Sequence, residues 1–503
     1  MPSITFKDFQ GGLDLRQGST VADANRLRVL KNAYVTTGKS IKKRPGLVLE
    51  AVFDEPSEPR YSKHGLFAIK GKLCTFYTYP VPPTVHPDPD PDSRFNSYYL
   101  LNPAGSYLIT NIVFADSFAG ETAAGYETKS YPFVCAEWGT NWSGSGSAPY
   151  NRTCHFLGEG TAYQVPSQPV SVSDFNHNYP IVKKSNRLWL TSLDKENVFF
   201  CKLNDARTWG TTPSTGADAG FISVASEQSN SSQVTALGEY GSKLIVFFAD
   251  SAQIWGIDPD QTLNRLEQII PIGTKHPYAH VNVGNDILFL SPQGIRSISS
   301  TSDIVGNLVE ADTGSPVDAV ISDVFGSNSP KAIYYRNAGQ AWFYYDTKAL
   351  VYTFSRTAKI NAWSIYEFPV PLEYVAQLDG VLYVRSGNSV YSLSDTAYDD
   401  DGIDIDVEIE FPFLDFKQSG VLKQITGMDV VFNGTANVQH RFDSLNPEII
   451  TEAIGLTGDT RARRVVGVEL MTTSISPVIT HSANEPFELF GLVYYFESLG
   501  VFP

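Results

Sequence analysis

Residues 243–257, KLIVFFADSAQIWGI, show the unit on which the middle of the chain is built. The first half, residues 244–248, is an apolar run that is too short for a helix and rich in β-branched and aromatic residues. Such a run is typical of a buried strand. Ala-Asp-Ser follows, and Asp and Ser favour turns because their side chains hydrogen-bond to nearby backbone. A second strand around Trp255 completes a predicted β-hairpin.

Hairpins of the same kind recur along the chain. They are GLFAIKGKLCTFYTY from residue 65, RLWLTSLDKENVFFCKL from 187, DILFLSPQGIRSIS from 286, AWFYYDTKALVYTFS from 341 and VLYVRSGNSVYSLS from 381. One apolar marker in the buried strand of each is Leu73, Leu188, Leu244, Leu288, Trp342 or Leu382. From Leu188 onward the markers are 40 to 56 residues apart, close to the roughly 40 to 50 residues of a propeller blade. The sequence predicts a β-propeller of six blades, with five or seven left open.

Composition agrees with an all-β chain. The 503 residues include 39 glycines, 30 prolines and 13% aromatic residues, a mixture that favours strands and turns. The charge is acidic, with 54 Asp and Glu against 38 Lys and Arg. An acidic surface argues against coating of nucleic acid, since phosphate neutralisation needs a basic surplus. It remains compatible with DNA passing through a channel, where like charge discourages sticking.

The four cysteines and the termini carry few signals. Cys74, Cys135, Cys154 and Cys201 form no CxxC pair, which favours buried free thiols over a zinc site or a disulfide framework. The first residues, MPSITFKDFQGG, lack a basic region followed by an apolar core, so no secretory signal is expected. No run approaches the ~18 apolar residues of a membrane span. We therefore expect a soluble, cytoplasmically made chain with no cofactor.

Residues 1–60 are predicted to be an N-terminal arm that differs from the rest of the chain. Between residues 16 and 44 it carries eight basic residues opposed by Asp23. The segment ANRLRVLKNA, residues 24–33, predicts a short helical turn, and Pro-Gly at 45–46 should stop any regular element. The arm is either a solvated surface segment or a docking element for an acidic partner. The candidate docking residues are Arg16, Arg26, Arg28, Lys42, Lys43, Arg44 and Pro45.

Residues 33–40, AYVTTGKS, resemble a relaxed phosphate-binding loop. Such a loop functions where a strand precedes it and a helix N-terminus follows it, so that backbone N–H groups face the phosphates. Here a predicted helical turn precedes it and Lys-Lys-Arg-Pro-Gly follows. The sequence therefore argues against nucleotide binding.

Two further regions flank the repeats. Residues 81–175 begin with the Pro- and Asp-rich VPPTVHPDPDPDS and predict an inserted β-rich lobe, whose Trp138 and Trp142 could bind sugar or protein or be half-buried strand residues. Residues 397–503 predict a β-sandwich-like domain. Its acidic run DDDGIDID, from Asp399, could bind calcium, but the alternation of Ile403, Ile405 and Val407 is a strand pattern and fits no calcium loop.

Catalytic motifs are missing from the sequence. It contains no GxSxG, HExxH or Rossmann glycine fingerprint. His276 and His280 lie four apart, but Pro277 and the lack of a third ligand argue against a metal site. A non-enzyme is expected. The alternative is a carbohydrate-binding or glycoside-hydrolysing propeller, whose carboxylates would come from distant blades.

Segments at both ends resemble the tail nozzle, or packaged-DNA stabilisation, proteins of short-tailed bacteriophages. The N-terminal segments are FQGGLD at 9–14, DANRL at 23–27, NAY at 32–34 and KKRPG at 42–46. The C-terminal segments are SPVITH at 476–481, NEPFEL at 484–489 and Gly491-Leu492. Together they cover about a quarter of the chain, and their order at opposite ends makes the resemblance more specific than any single motif.

The resemblance implies a structural virion protein. It would form a homohexameric ring below the portal and the head-tail adaptor protein, extend the DNA channel, retain packaged double-stranded DNA and anchor a tail fibre or spike protein. Its location would be the virion tail, assembled in the host cytoplasm. The expected organisation is a propeller from residues 61–80 and 176–396, with residues 81–175 as a possible nozzle tip. Residues 1–60 and 397–503 would combine into a platform domain.

Overall fold

A computed structural model describes residues 2–20, 22–53, 63–79, 94–101, 109–121, 128–138, 152–156, 181–191, 196–210, 218–225, 233–240, 243–257, 264–283, 286–298, 312–458 and 465–501. The statements below concern these residues. Strands make up most of them, so the protein is all-β as predicted. A 3-10 turn, Ser315–Val317, leads into the described helix, α1 (Asp318–Phe325). No helix of this part of the chain is long and apolar enough to cross a membrane.

The N-terminal segment is a series of short strands. They are β1 (Ser3–Phe6), β2 (Gly12–Leu13), β3 (Arg26–Leu27), β4 (Val29–Lys31), β5 (Ala33–Val35), β6 (Ile41–Lys43) and β7 (Gly46–Val52). The predicted helical turn at 24–33 is therefore wrong. Its Leu27 and Leu30 are fully buried, and neighbouring strands satisfy its backbone hydrogen bonds in place of a helix. Strands β5 and β6 pair as a hairpin, so the strand-to-helix context of a phosphate loop is absent at 33–40.

The middle of the chain forms successive small sheets. The first two comprise β8 (Lys63–Ile69), β9 (Lys72–Tyr79) and β10 (Phe95–Leu101), then β11 (Ile109–Glu121), β12 (Thr128–Trp138) and β13 (Arg152–Phe156). The third comprises β14 (Val182–Lys184), β15 (Arg187–Thr191), β16 (Asn197–Lys202), β17 (Asp205–Trp209) and β18 (Gly220–Ser223). The fourth comprises β19 (Ala236–Tyr240), β20 (Lys243–Phe247), β21 (Ala252–Gly256) and β22 (Arg265–Ile270).

Three more sheets follow in the same manner. The fifth comprises β23 (His280–Val283), β24 (Asp286–Ser291) and β25 (Gly294–Ser297). The sixth comprises β26 (Lys331–Tyr335), β27 (Gln340–Tyr345), β28 (Lys348–Ser355) and β29 (Ile360–Glu367). The seventh comprises β30 (Tyr374–Leu378), β31 (Val381–Ser386) and β32 (Ser389–Ser394), with β7 as its fourth strand.

The sheets close into a β-propeller. Strand β8 contacts β30 and β11, strand β11 contacts β17, and β14, β19, β23, β26 and β30 contact one another in that order. The hairpin of residues 243–257 is confirmed as β20 and β21, with Leu244 opposite Trp255. All six apolar markers lie on the second strand of a sheet and are at most 2% exposed. The described ring has a seventh sheet, β11–β13, which carries no marker.

The inserted region, residues 81–175, is β-rich, and its described strands are part of the propeller, since β10 belongs to the first sheet and β11–β13 form the seventh sheet of the ring. Strand β10 extends the first sheet by pairing in parallel with β9. Lys183 on β14 donates to Asp116 on β11 at 3.1 Å. The Pro- and Asp-rich stretch after residue 80, Trp142 and the side chain of Trp138 lie outside the described residues. Of the cysteines, Cys74 and Cys201 are buried free thiols as expected, and burial raises the pKa of Cys201 to about 12.

The N-terminal segment completes the last blade. Strand β7 pairs antiparallel with β32 from Gly46 opposite Ser394 to Val52 opposite Ser389. Gly46 begins this strand where the sequence predicted a stop. An added Cβ there would overlap the carbonyl oxygen of Asp399, so this close backbone approach requires glycine. A strand from one end of the chain therefore closes the ring of sheets.

The C-terminal region and the N-terminal strands form a platform. Its remaining strands are β33 (Asp399–Asp400), β34 (Ile403–Asp404), β35 (Val407–Glu410), β36 (Val421–Asn433), β37 (Thr435–Arg441), β38 (Ile454–Thr457), β39 (Val466–Thr472), β40 (Ser476–His481) and β41 (Glu488–Val501). One sheet has the order β39-β36-β41-β6-β5, with β1 also paired to β41. The predicted alternation holds for Ile405 and Val407, which are at most 2% exposed, whereas Ile403 is exposed.

The platform and the propeller share one sheet. The sixth blade continues from β29 through β4 and β35 to β40, β37 and β38. A single hydrophobic core extends across this junction, from Leu288 and Phe343 in the propeller to Ile409, Ile479 and Leu492 in the platform. Relative motion of the two parts would break backbone pairing and expose apolar side chains, so they behave as one body.

Candidate functional site

A polar cleft lies where the sixth and seventh blades meet the β5–β6 hairpin. Its volume is about 580 Å³, within the roughly 300 to 1,000 Å³ of ligand-binding clefts. Tyr34 comes from β5, Tyr335 from β26 and Asn337 from the turn after it. The β30–β31 turn supplies Asp379, and the chain after β32 supplies Asp395. The walls are therefore strand and turn residues of two neighbouring blades and of β5, which the tertiary fold brings together.

The cleft is acidic and partly aromatic. Glu50, Asp379 and Asp395 line it together with one arginine, Arg94. Glu50 accepts a hydrogen bond from Ser392 Oγ at 2.5 Å. Burial, and after it the charge of Asp395, raises the pKa of Tyr34 to about 12. A ligand that matches this cleft would be neutral or positive and would present hydrogen-bond donors.

A smaller pocket of about 230 Å³ lies among the strands that come first in their blades, such as β8, β23, β26 and β30. It is lined by Phe67, His280, Lys331 and Tyr374 among others. Lys331 Nζ donates to the Glu373 carbonyl at 2.8 Å and lies 4.5 Å from the centre of the Tyr374 ring. Burial lowers the pKa of His280 to about 4, so its imidazole is neutral at physiological pH. No cluster of three or more potential metal ligands occurs in the described part of the chain.

Two basic residues of the N-terminal segment, Arg16 and Arg26, pair with Asp14. This carboxylate is 2% exposed and pairs with Arg16 at 2.7 Å and with Arg26. Arg28 donates to the Gln17 carbonyl at 2.8 Å. Asp14 lies just outside residues 16–44, the basic stretch in which Asp23 is the single acid, so the local charge pattern does not reveal it as a partner. Arg16 is 42% exposed, and it remains available to a partner.

Two of the candidate docking residues are in the interior. Arg44 is 1% exposed and pairs with both carboxylate oxygens of Asp400, at 2.8 and 2.5 Å. It also donates to Asn32 Oδ1 and the Glu367 carbonyl, and its guanidinium lies 4.1 Å from the centre of the Phe368 ring. The expectation that Arg44 belongs to an exposed arm is wrong, because five hydrogen bonds and a ring contact hold it inside the protein.

Lys43 is likewise 3% exposed. Its Nζ donates to the Ala483 carbonyl at 2.8 Å and lies 3.3 Å from His481 Nε2. Burial, followed by the charge of Arg44, lowers the pKa of Lys43 to about 8. Lys42 is partly exposed on the same strand, and Pro45 lines the polar cleft. The basic run is thus mainly a structural junction, and Lys42 is its accessible member.

Sequence reasoning missed the cleft and the partners of the basic residues. The sequence pattern places Asp400 in a run of acids along a strand, whereas Asp400 is 2% exposed and neutralises Arg44. Residues 44 and 400 are far apart in sequence, and nothing local marks either as half of a pair. Among the residues that contact Arg44, Asn32 comes nearest to being recognisable from sequence. Its φ is 52°, and asparagine tolerates that conformation better than most residues.

No protein-family model and no curated protein matches the chain. Among solved structures it is similar to BamB from Moraxella catarrhalis at 9% identity and a TM-score of 0.34, over 78% of this chain and 97% of that one. An exo-beta-1,3-galactanase from Phanerochaete chrysosporium with galactose matches at 8% identity and a TM-score of 0.20, over 75% and 95%. The AfRom2 CNH domain matches at 9% identity and a TM-score of 0.25, over 74% and 98%. These low scores carry no inference about function.

Proposed function

We propose that this chain is a structural protein of a bacteriophage tail, the nozzle ring that extends the DNA channel below the portal and adaptor. The observation that carries the proposal is that the terminal segments with the family resemblance meet in the folded chain. Lys42 on β6 is the register partner of Glu488 on β41, and the Lys43 backbone N–H donates to the Phe487 carbonyl at 3.0 Å. Asn484 Nδ2 lies 2.5 Å from Asp399 Oδ2. The motifs therefore describe one structural unit.

The architecture suits a load-bearing role. A wall that retains pressurised DNA must resist displacement of its parts, and here the platform and the sixth blade share a continuous sheet and core. The acidic balance of the chain, with a net charge of -16, suits a conduit that DNA must leave, because a basic lumen would bind the phosphates. In this proposal a homohexamer contacts the adaptor on one side and a fibre or spike protein on the other.

Mass measurement and electron microscopy test the proposal. The purified chain, alone or mixed with adaptor-bearing capsids, should form a ring of six copies that continues the channel. A chain that stays monomeric under both conditions would refute it.

The docking part of the proposal is tested separately by charge reversal. The triple change of Arg16, Arg28 and Lys42 to Glu should prevent attachment to adaptor-bearing capsids. A control with Lys275, Arg356 and Lys359 changed to Glu alters three exposed residues in the propeller and should attach normally. Equal attachment of both variants would contradict docking through the N-terminal segment.

The second candidate function is that of a free-standing carbohydrate-active propeller. The polar cleft between the sixth and seventh blades favours it, since aromatic rings and carboxylates are the groups with which proteins hold sugars. The same mass measurement separates the candidates, because a monomer that binds or hydrolyses glycans supports the second and a ring supports the first.

A further inference from the structure

One sheet of the platform ends in two strands, β39 and β1, whose outer edges pair with no other described strand. The sheet runs β39-β36-β41, and β1 pairs with the opposite side of β41. Strand β5, which ends the same sheet beyond β6, is covered because β29 of the sixth blade lies beside it. In the part of the chain that the structure describes, β1 and β39 are therefore the free edges of this sheet.

Strand β39 lacks the usual protection of a free edge. It is seven residues long and contains no proline. Its exposed positions alternate along the strand, and they include Gly467, Glu469 and Met471, with Val465 just before them. Val465 and Met471 are 55% and 58% exposed. Natural edge strands are usually very short, charged, interrupted or covered, so an edge with one charge and two exposed apolar side chains is suited to pairing with another strand.

The two free edges are complementary in direction. Every neighbouring pair from β39 through β36 and β41 to β1 is antiparallel. Strands β39 and β41 therefore run one way, and β36 and β1 run the other way. When β1 of one copy lies beside β39 of a second copy, the sheet continues in antiparallel order.

The side chains of the two edges match at one register. Ile4 and Phe6 of β1 and Leu470 of β39 all contact the platform core. Placing Phe6 opposite Leu470 keeps the core-facing positions of both strands on one side, because side chains alternate between the faces of a sheet. The same register sets Lys7 opposite Glu469 on the outer face, where both are exposed. Opposite charges directly across two strands stabilise their pairing.

Pairing of β39 with a second β39 about its central residue is less favourable. It would set Glu469 opposite Glu469 of the second copy, and like charges directly opposite each other are destabilising. The charge pattern therefore favours β1 as the partner of β39.

We propose that β39 of one copy pairs antiparallel with β1 of a second copy of this chain, with Phe6 opposite Leu470. This contact rests on the proposed nozzle function, which requires a ring of copies. Because the two edges differ, each copy uses β39 on one side and β1 on the other. Contacts of this head-to-tail kind close into a ring when the rotation between copies allows it, and no copy then keeps a free edge in this sheet.

A pair of cysteines tests the contact. In the proposed register Thr5 lies opposite Met471, and both are exposed. Directly opposite residues have Cβ atoms about 4.5–5.5 Å apart, near the distance that a disulfide needs. Within one copy β1 and β39 are three strand spacings of about 4.8 Å apart, too far for a disulfide. A disulfide in the Thr5→Cys, Met471→Cys variant therefore joins two copies.

Oxidation of the full-length double variant should give a series of covalent multimers up to the size of the ring on a non-reducing gel. The matched control is Thr5→Cys with Gly467→Cys, which is four residues out of register at a position with open space around it. This control, the single variants and the unaltered protein should stay uncrosslinked. All variants should retain the melting temperature of the unaltered protein, since the changed positions are exposed.

Charge exchange tests the register independently. Lys7→Glu and Glu469→Lys should each weaken association by up to about fivefold per contact, measured by analytical ultracentrifugation. The double variant should restore association because the pair is present again with its charges exchanged.

The outcomes separate the contact from the nozzle function. Rings seen by electron microscopy without the disulfide, crosslinking that stops at dimers, or equal crosslinking of the out-of-register control would overturn the contact and leave the nozzle function standing. Multimers that crosslink as expected but do not attach to adaptor-bearing capsids would support the contact and count against the nozzle function. A chain that stays monomeric both alone and with capsids would overturn both.

Discussion

Replacing Arg44 by Met tests whether the basic run is a structural junction. In the folded chain the Arg44 guanidinium neutralises Asp400, and both side chains are at most 3% exposed. Methionine fills much of the same volume but leaves the Asp400 carboxylate buried without a counter-charge. The Leu47 backbone N–H, which donates to Asp400 Oδ1 at 3.1 Å, is the group that remains to stabilise it. The variant therefore isolates the loss of charge pairing from the loss of packing.

The expected cost follows from this geometry. Removing one partner of a buried ion pair usually destabilises a protein by about 3–5 kcal/mol. Arg44 also satisfies Asn32 Oδ1 and the Glu367 carbonyl, so the loss should fall in the upper part of that range. Because the pair joins the start of β7 to β33, the propeller closure and the platform should weaken together.

Urea unfolding followed by tryptophan fluorescence measures the effect, since Trp342 and Trp363 are fully buried. Arg44→Met should lower the unfolding free energy by about 3–5 kcal/mol. The double variant with Asp400→Asn should lose less than the sum of the two single changes, because no unpaired charge remains. Lys42→Met, on the adjacent strand and partly exposed, should cost less than about 1 kcal/mol.

The result that refutes this reasoning is specific. If Arg44→Met unfolds at the same urea concentration as the unaltered protein, the buried pair does not hold the junction. If it also fails to attach to adaptor-bearing capsids, Arg44 acts in docking despite its burial. Additive single changes would show that Arg44 and Asp400 are not coupled.

Three further predictions follow from the same contacts. Burial lowers the pKa of Lys43 to about 8. The free-energy cost of burying the charged amine is fully present below that pH and disappears as the pH rises toward about 10.5, the pKa in the unfolded chain. The stability of the unaltered protein relative to Lys43→Met, measured from urea midpoints, should therefore rise between pH 8 and 10. Burial lowers the pKa of His440 to about 4. As the pH falls below about 6.5 the unfolded chain binds a proton at this residue before the folded protein does, so the unfolding free energy should fall by about 3 kcal/mol by pH 4. The unfolding free energy of His440→Gln should fall less over the same pH range. Gly46→Ala should lower the melting temperature by several degrees because its Cβ meets the Asp399 carbonyl, while Gly467→Ala, with open space around it, should not; equal effects would contradict the close approach.

Parts of the candidate site differ in how far the sequence could reveal them. Among the cleft residues, Tyr34 lies within β5, Tyr335 ends β26, and Asp379 and Asp395 lie in turns of the next blade. Tyr34 is about 300 residues or more from the other three. No spacing rule connects them. Hairpin turns can be predicted locally, but which turns become neighbours depends on how the blades pack. The basic run was visible as charge, and its burial was not, because burial depends on where Asp400 lies in the fold.

The sequence by itself determined the blades. Short apolar runs followed by turn residues specify hairpins through local backbone and side-chain preferences, and the markers from Leu73 to Leu382 all occupy the second strand of a sheet. Only the tertiary structure decided how the blades close and where the ends go. The seventh sheet lacks a marker. Strand β7 pairs with β32, where each residue is 337 to 348 positions from its partner, and Arg44 pairs with Asp400, 356 positions away. These are long-range pairings, whose energy comes from partners that no local pattern identifies.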